Sequence, residues 1–173
     1  MALIVKILKK IHTKFILLSN HLPKDTKIYG QINMINKNVK FGREVVIYPN
    51  VSFEGNGPIV LEDGVKIGTN TIISAHSGGG ILIGRNSAIA GNCYLIDCNH
   101  GIKRDKYIFQ QELITSKLVI EEDVWVGANS TIGHGSHIKK GAVIGANSFV
   151  NSKIREYGVA VGAPAKVIKD RGE

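Results

Sequence analysis

Hydrophobic residues recur every sixth place from Ile120: Ile120, Val126, Ile132, Ile138, Ile144 and Val150. Four places after each comes a small or β-branched residue: Val124, Ser130, Ser136, Ala142, Ser148 and Ile154. Gly127, Gly133 and Gly145 directly follow three of the six. An α-helix repeats at about 3.6 residues and a half-buried strand at about two, so neither keeps this period. A six-residue repeat predicts a parallel β-helix in which each hexad gives one short strand and one corner. The aliphatic residue fills the prism, the small residue fits beside it, and glycine eases the corner.

The same period runs upstream. Ile35, Phe41, Ile47 and Phe53 open it, with Val39, Val45 and Val51 at the small position. Leu61 comes eight residues after Phe53 (61 − 53), and the excess fits a corner at Gly55-Asn56-Gly57-Pro58. Leu61, Ile67 and Ile73 follow. Ile83 comes after a step of ten (83 − 73), with the excess near Ser77-Gly78-Gly79-Gly80. After Ile89 and Leu95 the pattern stops until Ile120. These sixteen register residues (ten upstream and six downstream), at three per turn, predict about five coils. Residues 96–119 are predicted to protrude as a loop, and an insertion in a repeat array often carries the binding face.

Residues 2–20 follow a different rule. Leu3, Ile4, Ile7, Leu8, Ile11, Phe15 and Leu18 recur at helical spacing, with Lys6, Lys10 and Lys14 on another face. This predicts a basic amphipathic helix. It either lies on an anionic membrane surface or covers the open end of the prism or a neighbouring subunit. The chain therefore divides into residues 1–27 (helix and linker), 28–154 (β-helix with its 96–119 loop) and 155–173 (C-terminal extension).

Charge narrows the partners. The chain has 22 Lys and Arg against 14 Asp and Glu, a formal +8, which favours an anionic ligand such as coenzyme A, an acidic glycan or anionic lipid. No nucleic-acid motif appears, so nucleic acid is not expected. With no bilayer-spanning stretch and no signal peptide, the expected location is the cytoplasm, peripheral at the inner membrane surface if the helix binds lipid. Cys93 and Cys98 form neither a zinc pair nor a disulfide framework. His134 and His137 form H-x-x-H without a third ligand, and no metal is expected.

Three motifs are more specific than the repeat: Asp97-Cys98-Asn99-His100-Gly101, Val124-Trp125-Val126-Gly127 and Val161-Gly162-Ala163-Pro164-Ala165-Lys166. Together they resemble the hexapeptide-repeat acyltransferases, in the branch that holds the galactoside, maltose and capsular-polysaccharide O-acetyltransferases. The resemblance covers roughly residues 28–169. It implies an all-β, left-handed parallel β-helix; the hand rests on the resemblance, since parallel crossovers in general favour the right. It also implies a homotrimer with active sites between subunits, acetyl-CoA as cosubstrate and a carbohydrate acceptor in surface polysaccharide biosynthesis. Flat prism faces suit closed cyclic assembly.

By this resemblance His100 is the general base that takes the proton from the acceptor hydroxyl as it attacks the acetyl thioester. Imidazole titrates near neutrality and so can accept and return a proton. Asp97, Glu112 or a backbone carbonyl would orient the ring, and a backbone N–H would serve the oxyanion. The surface around Gly127-Ala128 and Gly145-Ala146 resembles the family's pantetheine track. Ser152, Lys153, Lys166 and Lys169 would meet the phosphates and adenine. Trp125 would flank the cleft or a subunit interface, and Asn70 and His76 the acceptor. The competing readings are N-acetylation of an amino sugar, O-acetylation of serine, a zinc hydratase and a non-catalytic assembly module.

Overall fold

The computed structural model describes residues 22–173. The predicted 2–20 helix lies outside the described residues. From Lys27 onward, successive short strands step around three parallel sheets. The first sheet runs Lys27–Ile28, Val46–Ile47, Lys66–Ile67, Ala88–Ile89, Trp125–Val126, Val143–Ile144 and Gly158–Gly162. The second runs Ile32–Met34, Val51–Gly55, Ile72–Ala75, Tyr94–Ile96, Thr131–Ile132 and Phe149–Val150. The third runs Val39–Phe41, Ile59–Leu61, Ile81–Ile83, Leu118–Ile120, His137–Ile138 and Lys153–Ile154. Ala165–Asp170 closes the first sheet antiparallel to Gly158–Gly162.

Strand pairing stacks the register residues in three columns. Ile28, Ile47, Ile67, Ile89, Val126, Ile144 and Ala160 form one. Met34, Phe53, Ile73, Leu95, Ile132 and Val150 form the second. Phe41, Leu61, Ile83, Ile120, Ile138 and Ile154 form the third. Most of these side chains are fully buried. Each contributes about 1.5–3 kcal/mol by leaving water, so the columns are the core.

Two register assignments change. Ile35 is 59% exposed, and Met34 instead stands opposite Phe53. The step from Met34 to Phe41 is seven residues, and the extra one is the buried Asn36. Its amide donates to the carbonyls of Glu54 (3.0 Å) and Gly57 (2.9 Å), which removes the cost of burying it. Ile154, expected at a small position, takes a core place opposite Ile138 across a corner shortened to four residues. Met34 replaces Ile35, and Ile28, Ile154 and Ala160 are added, so sixteen register residues become nineteen. The solenoid has six complete coils and one side of a seventh, rather than about five.

The corners also differ from expectation. Between the first and second sheets the left-handed residue is asparagine: Asn50, Asn70, Asn92, Asn129 and Asn147, with φ of 58–61°. Asparagine tolerates this region because its short polar side chain bonds locally. Here the amides bond along the prism, Asn50 Nδ2 to Asn70 Oδ1 and Asn70 Nδ2 to Asn92 Oδ1, each 3.0 Å. Gly127 is needed for a different reason: a Cβ there would lie 2.5 Å from the Ala146 nitrogen of the next coil. Asn70→Val should cost about 1–2 kcal/mol by its backbone angle alone, and Asn70→Gly much less. Denaturant unfolding of the two variants checks the order.

Candidate active site

The solenoid is interrupted once, at the corner between the second and third sheets of the fourth coil. Cys98–His100 leaves the prism and pairs antiparallel with Leu113–Thr115, setting His100 opposite Leu113. The segment between turns through a short 3₁₀ element, Ile108–Gln110. Gln111 ties it internally: its Oε1 accepts from the Lys103 amide (2.8 Å), and its Nε2 donates to the carbonyls of Lys103 (3.0 Å) and Lys106 (3.1 Å). Outside this knot, Tyr107 and Phe109 stack with centroids 6.1 Å apart, and both are exposed.

His100 is exposed at the base of this hairpin. Its backbone N–H donates to Asn99 Oδ1 at 2.9 Å, and its ring has no hydrogen-bond partner among the described residues. Both ring nitrogens are therefore open to a ligand.

Asp97 does not orient His100. It is fully buried and bonds to the segment above it. The backbone N–H of His76 donates to Oδ1 (2.9 Å) and Oδ2 (3.0 Å), and the Gly80 N–H donates to Oδ2. A Cβ on Gly79 would lie 2.4 Å from Asp97 Oδ2, so this close wrap requires glycine. His76 Nδ1 stands 3.3 Å from Asp97 Oδ1. The carboxylate expected beside His100 thus belongs to His76 and the glycine run. The Glu112 side chain has no partner among the described residues, while its carbonyl accepts from Gly101 (3.3 Å).

His76, Asp97 and Cys98 bring one ligand atom each within 4.8 Å of one another, and these are the described residues that could hold a metal ion. Burial first, and then the Asp97 charge, push the Cys98 thiol up, so its proton is hard to remove. Both cysteines are free.

Asn70 and His76 do not meet within one chain. They sit at opposite ends of Ile72–Ala75, and the Asn70 amide is engaged in its corner ladder. Trp125 is exposed on the first sheet, beside Ala88 and Val143. Ala128 and Ala146 stack at the corner between the first and second sheets, where the Asn147 amide donates to the Ala128 carbonyl at 2.9 Å. Lys166 and Lys169 lie on the strand that closes the first sheet, and Lys169 Nζ bonds the Glu173 carbonyl at 2.6 Å. Ser152 and Lys153, by contrast, share the His100 corner and the third sheet. The expected coenzyme contacts therefore occupy two edges of the prism with the second sheet between them.

The structure also shows a basic cleft of about 500 Å³ lined by Lys139, Lys153, Arg155 and Glu156. No spacing in the sequence marks Lys139 and Arg155, because only the stacking of coils sets them beside Lys153. Nearby, the H-x-x-H pair is divided: His137 Nε2 lies 2.6 Å from Glu121 Oε1, and the Lys140 amide donates to Glu121 Oε2 at 2.9 Å. Burial pushes the Glu121 carboxyl up, but the Lys140 amide and His137 outweigh it and hold it below the usual carboxylate value. A lowered folded value stabilises the protein above the ordinary carboxylate range, and that share is lost as pH falls through it. Glu121→Gln should therefore lose less stability on acidification than the wild type, as read by thermal melting at neutral and acid pH.

Known proteins share this architecture and its repeat. Residues 117–152 match the bacterial transferase hexapeptide (six repeats) family, and residues 58–96 match the hexapeptide repeat of succinyl-transferase. Two separate stretches of the chain thus match hexapeptide-repeat models. WbbJ of Escherichia coli strain K12, named for O-acetyl transfer in lipopolysaccharide biosynthesis, is 35% identical over 123 residues, 66% of this chain and 62% of WbbJ. Rv3034c of Mycobacterium tuberculosis, named as an acetyltransferase, is 34% identical over 116 residues, 66% of this chain but 38% of its own length. The chain thus spans less than two thirds of either relative. Among solved structures, the N-acyltransferase AntD of Bacillus cereus, bound to dTDP and 3-hydroxybutyryl-CoA, superposes with a TM-score of 0.69 at 22% identity, covering 86% of this chain and 81% of AntD. The Vibrio cholerae acetyltransferase VCA0836, in complex with acetyl-CoA, gives 0.57 at 22% identity over 86% and 72%. Among the described residues no helix is long and apolar enough to cross a membrane.

Proposed function

We propose that this chain is an acetyl-CoA-dependent O-acetyltransferase acting on a sugar hydroxyl in surface polysaccharide biosynthesis. The observation that carries the reading is His100, an open imidazole in the Asp97–Gly101 motif on the one hairpin that leaves the described coils. The similarity to WbbJ supports the acceptor class.

His100 takes the proton of the acceptor hydroxyl as its oxygen attacks the thioester carbonyl carbon. The C–O bond forms, the C–S bond breaks, and the imidazolium returns its proton to the departing coenzyme A thiolate. A positioned base of this kind contributes about 10²–10⁴-fold.

The active unit is a homotrimer. The coenzyme contacts at Trp125, Ala128, Ala146, Lys166 and Lys169 and the His100 corner lie on different edges of one prism, and packing two chains side by side joins one edge to the other. Acetyl-CoA is a cytoplasmic metabolite, which places the reaction in that compartment. The basic helical pattern of residues 2–20 would keep the enzyme at the inner membrane surface, near a lipid-linked acceptor.

An acceptor panel of sugars and amino sugars with acetyl-CoA, read by free-thiol release, tests the activity. Thiol release with sugar hydroxyls is the expected result. Release only with amino sugars would move the transfer to nitrogen, and release with neither would end the proposal.

A further inference from the structure

The hairpin that carries His100 ends in the most exposed large apolar side chains of the described residues. Phe109, Ile102 and Tyr107 are 80%, 79% and 73% exposed. These side chains are held in place. The Gln111 amide bonds Lys103 and Lys106 on the two sides of the turn, and the Tyr107 and Phe109 rings stack with planes 3° apart. The arms, Cys98–His100 and Leu113–Thr115, lift the tip away from its own prism. At three residues each they carry it about 10 Å from the corner. A fixed apolar patch in water marks a surface that another molecule covers.

The first sheet offers a matching surface. Its outward row runs Ala88, Trp125, Val143 and Val159, in register from the fourth coil to the seventh. The row is uncharged over this length and turns basic only below it, at Lys66. Trp125 is 57% exposed in the single chain.

The proposed trimer brings the two surfaces together. The His100 corner of one chain meets the Ala128 and Ala146 edge of the next, and three such joints turn every second sheet toward the axis. A groove then opens outward between the third sheet of one chain and the first sheet of the next, and the hairpin rises into it. Rotation about an axis parallel to the prisms keeps equal coils at equal heights. The hairpin leaves the fourth coil and Trp125 stands in the fifth, so they differ by one strand spacing, about 4.8 Å. That is within reach of an aromatic side chain. Tyr48 and Val161, exposed near the same edge, belong to the second and seventh coils, about 10 Å or more away.

We infer that the Tyr107–Phe109 stack of each chain seats on Trp125 of the next copy and roofs the reacting corner. Each site then holds His100 and its hairpin from one chain and Trp125 from the neighbour. His100 stands at the base of the hairpin, under this roof, and closure keeps water from the acetyl thioester. The inference rests on the homotrimer proposed above and adds which residues meet across its boundary.

Trp125 is the single tryptophan of the chain, so its fluorescence reads the contact directly. The full chain without coenzyme is compared with its Tyr107→Ala/Phe109→Ala variant by light scattering, emission spectrum and acrylamide quenching. The wild type should be a trimer with a shielded tryptophan, although the single chain leaves that ring more than half exposed. The variant should emit further to the red, quench more readily and, with acetyl-CoA but no acceptor, release thiol faster. Its coils should still form, because the tip lies outside the three core columns. A Phe109→Cys/Trp125→Cys variant treated with a short bismaleimide should run as a covalent trimer on a denaturing gel, and Phe109→Cys alone should not. A wild-type trimer whose tryptophan is as accessible as the variant's, cysteines that do not join between copies, or acceptor-free thiol release that the variant leaves unchanged overturns the roof and leaves the trimer standing. A wild-type monomer overturns both.

Discussion

Replacing His100 with alanine lowers acetyl transfer about 10²–10⁴-fold, the usual contribution of one general base. The fold should not change, because the ring is exposed on a hairpin outside the three core columns and bonds nothing among the described residues. Acetyl-CoA affinity should also persist, since the proposed coenzyme contacts sit on the coils and the C-terminal strand. Thiol-release kinetics, coenzyme titration and a melting curve on one preparation separate the three effects. Near-normal transfer by the alanine variant would remove His100 from the mechanism and turn attention to His76, whose ring already stands beside a buried carboxylate.

Asp97→Ala produces a different loss. It leaves the His76 and Gly80 amides without their acceptor, inside a wrap so close that the carboxylate reaches the Cβ position of Gly79. Unpaired buried donors cost about 1–3 kcal/mol each, so the variant should lose about 3 kcal/mol or more. The 76–80 segment should open, and transfer should fall with it because the hairpin that carries His100 begins at the next residue. Asp97→Asn keeps one carbonyl oxygen and should lie between. Limited proteolysis within Gly78–Gly80, together with thermal melting, reads the outcome. An alanine variant as stable as the wild type but inactive would show that Asp97 acts on the chemistry and not through the loop.

The two variants separate what could be read in the residues from what could not. A period of six belongs to no helix or ordinary strand, so the spacing from Ile120 to Val150 leaves only a solenoid. The break between Leu95 and Ile120 likewise marks where the chain departs from it. The same counting failed where a corner changed length. Ile35 continues the sixfold count back from Phe41, yet Asn36 turns inward and Met34 takes the core place, because an amide that finds two carbonyls can be buried without penalty. At the other end, a corner shortened to four residues brings Ile154 into the third column.

By itself the sequence determined the three-sided solenoid, the corner from which the hairpin emerges and the presence of His100 upon it. Repetition makes those features local, since each hexad repeats the same small set of contacts. Only the tertiary structure decided that Asp97 belongs to His76 and that Lys139 and Arg155 stand beside Lys153. Residues brought together by stacking are separated in the chain by one or more coils of variable length. Their neighbours are set by the register of every corner between them, which a sixfold count cannot supply.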